Sequence, residues 1–296
     1  MRHIPVLLNE TIETLNLFSG ANVIDCTLGD GGHTEKILEK ISPLGKVLGI
    51  DADPESLIRT KQFLYGFENR IIFVRDNFKN LKKIVKENNF KPNAILMDLG
   101  WSMPQFKERG RGFSFETDEA LDMRYEPEYA NQNIEEKRTA AGLLNSLNQN
   151  ELEKIFKEYG EEKFAKEIAE KIIEFRKDNN ITTTGELKEL VLKVYRERFK
   201  THKEIPWIGG IHPATKVFQS LRIAVNNELE ILKDVLPEAV EVLEAGGRLA
   251  VISFHSLEDR IIKHFFQSIN GKQGRVVNKK PIIAGIEELK NNPSAR

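Results

Sequence analysis

The sequence predicts an α/β protein, a doubly wound parallel sheet split in sequence by an all-helical insertion. Three observations carry that prediction. Short apolar runs alternate with helical stretches over about the first hundred residues, a block from about 111 to 210 offers helices and no good strand, and the alternation then resumes.

The strands are read at Asn22 to Cys26 (NVIDC), Lys46 to Asp51 (KVLGID), Arg70 to Asp76 (RIIFVRD) and Asn93 to Asp98 (NAILMD). Each is too short, and too rich in β-branched and aliphatic residues, to stand as a helix. Between them, Asp53 followed by Pro54 reads as an N-cap and a first helical residue. Leu81, Ile84 and Val85 give Phe78 to Glu87 helical spacing. In the middle block, Asn148 with Glu151 and Thr183 with Glu186 resemble capping boxes. The run Glu161 to Lys177 places Phe164, Ile168, Ile172 and Phe175 on one face, which reads as a core-facing helix in preference to a membrane or partner helix. Gly209 and Gly210, after Pro206 and Trp207, mark the exit. A long helix from about Ala214 to Leu243 follows, stopped by Gly246 and Gly247. A strand over Arg248 to Phe254 and a helix capped by Ser256 complete the order. The expected domains are therefore a discontinuous sheet domain, 1–110 with 210–296, and a helical insertion over 111–209.

Composition sets further bounds. The 296 residues are 40% hydrophobic and 30% charged, as in an ordinary globular chain. A net charge of -1 gives no global field to gather a polyanion, so a nucleic-acid partner requires a local basic face. The C-terminal stretch, with Lys272, Arg275, Lys279 and Lys280, offers such a face or simply a solvated surface. The single cysteine, Cys26, can form neither an internal disulfide nor a thiolate cluster, and points to a reducing compartment. Asn9 and Glu10 interrupt the N-terminal apolar run too early for a signal peptide, and no window approaches the roughly 20 apolar residues of a membrane span. A cytoplasmic protein with no membrane partner is expected. No metal is expected, because the six histidines form no ligand-spaced cluster. Oligomeric state is left open.

Ligands of open parallel sheets bind beyond the carboxyl ends of the strands. The first strand ends in Asp25 and runs into a turn, Cys26 to His33, in which glycines allow close backbone approach to a ligand. Asp51 ends the second strand about 20 residues later, the spacing of a carboxylate that accepts both hydroxyls of a ribose. That spacing fits a dinucleotide as well. Asp25 before the glycines and Asp30 among them repel a pyrophosphate but suit a ligand carrying an ammonium and a sulfonium, so S-adenosylmethionine is favoured over NAD. Asp76-Asn77-Phe78 places a polar group and a ring near an adenine, or is only a cap and a packing residue. Asp98 opens where a reacting methyl group would lie.

Longer strings go further. The N-terminal HIPVLL, DCTLGDGGHT, the GIDAD turn, RGFSF with LDMR, YGEEKFAKEIA, HPATKVFQSLRIAVNNEL and GGRLAVISFHSLEDRIIK together resemble the bacterial small-subunit (16S) rRNA cytosine-N4 methyltransferases of the MraW/RsmH type, over essentially the whole chain. The resemblance implies a Rossmann-like S-adenosylmethionine domain carrying an inserted helical domain for substrate recognition. By position it assigns Gly31, Gly32, His33, Asp51, Phe78, Asp98 and Gln105 to the cofactor. It implies methylation of a cytidine N4 of 16S rRNA, in the decoding centre near the P site of the small ribosomal subunit. Asp98 is the catalytic candidate. Arg109, Arg111, His212, Lys216, Arg222 and His255 are candidates for holding the RNA, although Arg222 could equally pair with Glu228 and His255 could brace a strand–helix turn. Two departures stand out. The loop Gly100 to Lys107 replaces a G-V-S-S-P-Q-L-D pattern, and the sequence stops at NPSAR where similar chains continue through a basic strand, so either the sequence is truncated there or the last strand is shortened. The competing readings are a methyltransferase of another substrate and an assembly factor that binds RNA without turnover.

Overall fold

The computed structural model describes residues 4–99, 110–125, 139–201, 203, 205, 211–292 and 295. Five strands form one sheet: β1 (Val23–Asp25), β2 (Val47–Asp51), β3 (Ile71–Arg75), β4 (Ala94–Asp98) and β5 (Arg248–Ile252). Their order is β3-β2-β1-β4-β5 and every pairing is parallel. Because side chains alternate along a strand, a sheet covered on both faces splits each strand between two cores. Val23, Val47, Ala94 and Leu96 enter one core; Ile24, Leu48, Ile95 and Met97 enter the other.

Helices supply the remainder of each layer. The first core is closed by α1 (Leu8–Thr14), α2 (Gly32–Lys40) and α3 (Pro54–Phe63), through residues such as Ile37, Leu38 and Leu57. The second is closed by α4 (Leu81–Glu87), α10 (Glu228–Val242) and α11 (Ser256–Ile269), through Ile84, Leu232, Leu236 and Ile262. Asp53 caps α3 as the sequence indicates, accepting from the amides of Glu55 and Ser56 ahead of Pro54. The fold class read from the alternation is the one observed.

The chain divides into two compact units, Met1–Met103 with Leu229–Arg296 and Pro104–Glu228. The second is helical: α5 (Ala140–Ser146), α6 (Gln149–Gly160), α7 (Ala165–Phe175), α8 (Thr184–Phe199) and α9 (Thr215–Asn226). Phe156, Ile168, Ile172, Leu187, Val191 and Leu221 are fully buried in its own core. Both expected capping boxes, at Asn148 and Thr183, are present.

Three local expectations need correction. The long helix over Ala214 to Leu243 is two helices, because Asn227 adopts a left-handed φ of 54° and its amide bonds back to Ile223 to close α9. The return to the sheet unit consequently falls after Glu228 and not at 210, since α9 places Val217, Phe218 and Leu221 in the helical core. The cap of α11 is His255, with Ser256 as the first helical residue. The hinge read at Pro206 to Gly210 lies outside the described residues. Beyond β5 the chain runs through α11 to a short α12 (Ile286–Asn291). Among the described residues, no helix is long and apolar enough to cross a membrane.

Candidate active site

The chain leaves β1 toward β2 on one side, while β4 pairs with the other edge of β1. That reversal opens a crevice beyond the carboxyl ends of β1 and β4. Three carboxylates end the strands around it: Asp25, Asp51 and Asp98.

Asp25 is 1% exposed and serves the turn itself. Its Oδ1 accepts from the Thr27 amide at 3.1 Å and its Oδ2 from the Thr34 hydroxyl at 2.6 Å. Burial raises its pKa, against the pull of those hydrogen bonds. Thr27 then ties β1 to β4, its Oγ1 accepting from the Asp98 amide at 2.7 Å.

Asp51 is held at both oxygens. Oδ2 accepts from the Gly29 amide and Oδ1 from the Asp53 amide, each at 2.8 Å. Every carboxylate oxygen has two acceptor sites, so one on each oxygen remains for a diol. Burial pushes the Asp51 pKa up to about 7, and the nearby Asp53 and Asp25 charges add to the rise that the two amides oppose.

The glycines between these carboxylates have distinct reasons. Gly31 sits at φ 72° and precedes α2, where a Cβ would come within 2.7 Å of Thr60 Cγ2. At Gly32 a Cβ would lie 2.2 Å from Pro5 Cγ, so the N-terminal segment packs directly on the turn. That segment is fixed by the other end of the chain. Asn292 Nδ2 donates to the Ile4 carbonyl at 3.1 Å, and the Leu7 amide donates to Glu288 Oε1 at 2.7 Å.

His33 opens α2 and is 7% exposed. Its Nε2 lies 3.0 Å from the Val6 carbonyl, which can only accept, so Nε2 carries a proton. Nδ1 faces Asp98 Oδ2 at 3.6 Å. Asp30, by contrast, turns its carboxylate to Arg59 at 3.2 Å. Contrary to the sequence reading, Asp30 is neutralised by this ion pair and does not repel a phosphate; Asp51 and Asp98 remain to do so, with Asp25 buried behind. Asp76 braces the following turn through the Asn77 amide and Asn80 Nδ2, and Phe78 is half-buried against the second core. Gln105 lies outside the described residues.

The candidates for holding RNA separate differently. Within the helical unit, Arg111 donates to the Arg124 carbonyl at 3.0 Å, and Lys216 to the Glu161 carbonyl at 2.9 Å. His212 Nδ1 accepts from the Ala214 amide at 3.1 Å while its ring stacks on Phe115. Arg222 makes two bonds to Glu228, at 2.9 and 3.0 Å. In the sheet unit, His255 Nδ1 accepts from the Glu258 amide at 3.4 Å to cap α11. Each therefore has a structural task, and Arg109 lies outside the described residues. Sequence reasoning gave no role to Thr27, Arg59 or Pro5, all of which shape the turn.

A family profile for the MraW methylase family matches residues 1–296. The chain belongs to that family. A relative from Clostridium botulinum (strain 657 / Type Ba4), named ribosomal RNA small subunit methyltransferase H, is 41% identical over 312 residues, covering 100% of this chain and 96% of its own. One of the same name from Dictyoglomus thermophilum is 43% identical over 296 residues, covering 99% and 93%. Among solved structures, an rRNA methylase from Streptococcus thermophilus is 24% identical with a TM-score of 0.27, over 33% of this chain and 52% of that one. The chain is a methyltransferase with S-adenosylmethionine as its cofactor. The residues fit that group. Asp51 keeps one acceptor site on each oxygen for a ribose diol, and its carboxylate would disfavour a pyrophosphate in the same place.

Proposed function

We propose that this methylase transfers a methyl group to the exocyclic N4 of a cytidine of 16S rRNA, in the decoding centre of the small ribosomal subunit. The observation that carries the reading is the placement of two carboxylates at the ends of the strands on either side of β1, Asp51 with an acceptor left on each oxygen for a ribose and Asp98 facing His33 at 3.6 Å beside the switch point of the sheet. The name carried by the methylase's relatives supports rRNA of the small subunit as the substrate class.

Gly31, Gly32, His33, Asp51, Phe78 and Asp98 would hold the cofactor, with Gln105 as a further candidate. Bound S-adenosylmethionine supplies an electrophilic methyl group on a positively charged sulfur. The chain supplies position and polarity. The lone pair of a cytosine amine is delocalised into the ring, which makes the nitrogen a poor nucleophile. A carboxylate that accepts one amine hydrogen favours a pyramidal nitrogen with a localised lone pair, and Asp98 is assigned that role. The amine takes up the positive charge as its bond to the methyl forms and then loses one hydrogen as a proton, to Asp98 or to water, so alignment contributes most of the acceleration and no strong base is required. The helical unit is assigned to substrate recognition, since a base in structured RNA must leave its stack to reach such a pocket.

Asp98→Asn tests the assignment. Its turnover on small subunits lacking the modification should fall at least about a hundredfold. Calorimetry on the same variant separates lost cofactor binding from lost chemistry. Full turnover with unchanged cofactor affinity would sink the role given to Asp98.

A further inference from the structure

The C-terminal region holds a feature that the cofactor site does not use. From Arg260 through Ile286 the sequence has six lysines and arginines and not one acidic residue, in a chain whose net charge is -1. Four of the six, Lys272, Arg275, Lys279 and Lys280, fall in the connection between α11 and α12 and are exposed. Lys272 Nζ donates to the Ser268 carbonyl at 3.1 Å. Arg275, Lys279 and Lys280 make no ion pair among the described residues.

The backbone of the connection is equally open. After the Val276 amide bonds to Asn270 Oδ1 at 3.0 Å, residues 277–284 make no backbone–backbone hydrogen bond among the described residues. Aliphatic side chains stand out between the cations, with Val277 53% and Ile283 81% exposed. Both ends are anchored nonetheless. Leu257 and Ile262 of α11 are buried, and α12 is tied to the N-terminal segment through Glu288. A segment of cations and open amides, tethered at both ends, loses little conformational entropy when it grips a partner.

We propose that residues 271–285 are a docking arm for the phosphate backbone of the substrate RNA, separate from the residues that hold the cofactor. Charge decides the partner. Four cations without a neighbouring acid match phosphates, which open amides and lysines contact without reading sequence. The exposed Val277 and Ile283 offer apolar surface to a ribose or an unstacked base. This rests on the rRNA reading above.

The test uses the full chain with Lys272, Arg275, Lys279 and Lys280 all changed to Gln. Binding to protein-free small-subunit rRNA and to assembled small subunits is measured over a salt series. Four phosphate contacts correspond to a log–log salt slope shallower by about three, and affinity at moderate salt should fall at least about tenfold. Cofactor affinity should stay at the wild-type value. A charge-preserving variant (Lys272→Arg, Arg275→Lys, Lys279→Arg and Lys280→Arg) should keep the wild-type slope. An unchanged slope and affinity in the Gln variant would overturn the arm. Wild-type affinity for naked rRNA with lost affinity for the subunit would put a ribosomal protein on the arm and overturn the RNA assignment. If the wild type itself binds neither rRNA nor subunits, the substrate reading fails and takes the arm with it.

Discussion

Asp51 is held between opposing effects. Two amides favour its charged form, while burial and the neighbouring Asp53 and Asp25 oppose it, leaving its pKa at about 7. Near the ordinary carboxylate value of 3.8 the carboxyl is half ionised in the unfolded chain, so well below that pH both states are protonated and folding is indifferent to it. As pH rises toward 7 the unfolded chain ionises first, and stability is lost until the folded group follows. The difference in unfolding free energy between wild type and Asp51→Asn should therefore move toward the variant from pH 4 to pH 8, as followed by urea melts. Cofactor affinity should rise with pH across the same titration in the wild type and stay flat in the variant. A constant difference would mean that Asp51 titrates as an ordinary carboxylate. The position of Asp51 at the end of β2 was legible in the sequence. Those of Thr27 and Arg59 were not, because one hydroxyl and one guanidinium acquire meaning only when β4 and Asp30 come beside them. The same limit applies to Arg222, whose bidentate bond to Glu228 is one of two readings the sequence leaves open.

At the scale of elements, the glycine-rich turn assigned to the cofactor is supported from behind. Pro5 packs on Gly32, Val6 orients His33, and α12 with Asn292 holds the segment that carries both. Asn292 is 4% exposed, and its Nδ2 also lies 3.4 Å from the Pro5 carbonyl. Asn292→Ala should cost about 1–3 kcal/mol of stability, the range for stranded buried hydrogen-bond partners. It should also weaken cofactor binding severalfold, whereas Glu288→Gln, which keeps an acceptor for the Leu7 amide, should bind as the wild type does. Calorimetry decides between them, and an unchanged affinity in Asn292→Ala would show that the clasp does not reach the site. No local pattern announces this contact, since the ends of the chain meet only in the folded state. The break at Asn227 was hidden for a different reason: apolar spacing continues on both sides of it, and only the left-handed residue separates α9 from α10. Strands and capping boxes were legible because alternation and side-chain caps are local.

The whole molecule joins two units with independent cores. One carries the cofactor turn, and the other is assigned to the substrate. Phe156 is fully buried in the helical core, and Phe156→Ala should cost about 3–5 kcal/mol there. At a temperature where the helical unit of that variant has melted, cofactor affinity should persist while methylation of small subunits is lost. Loss of both together would argue against separate tasks. The order of elements and the interruption of the sheet were visible in the sequence; the point of return was not, since α9 looks equally suited to either core until Val217, Phe218 and Leu221 choose one. The proposed reaction acts on one atom of one nucleotide. Incubation with S-adenosylmethionine and small subunits lacking the modification, followed by mass spectrometry of the digested 16S rRNA, locates the transferred methyl. Methyl on N4 of a single decoding-centre cytidine is the expected result; methyl on a ring carbon or a ribose, or no methyl on RNA, would contradict it.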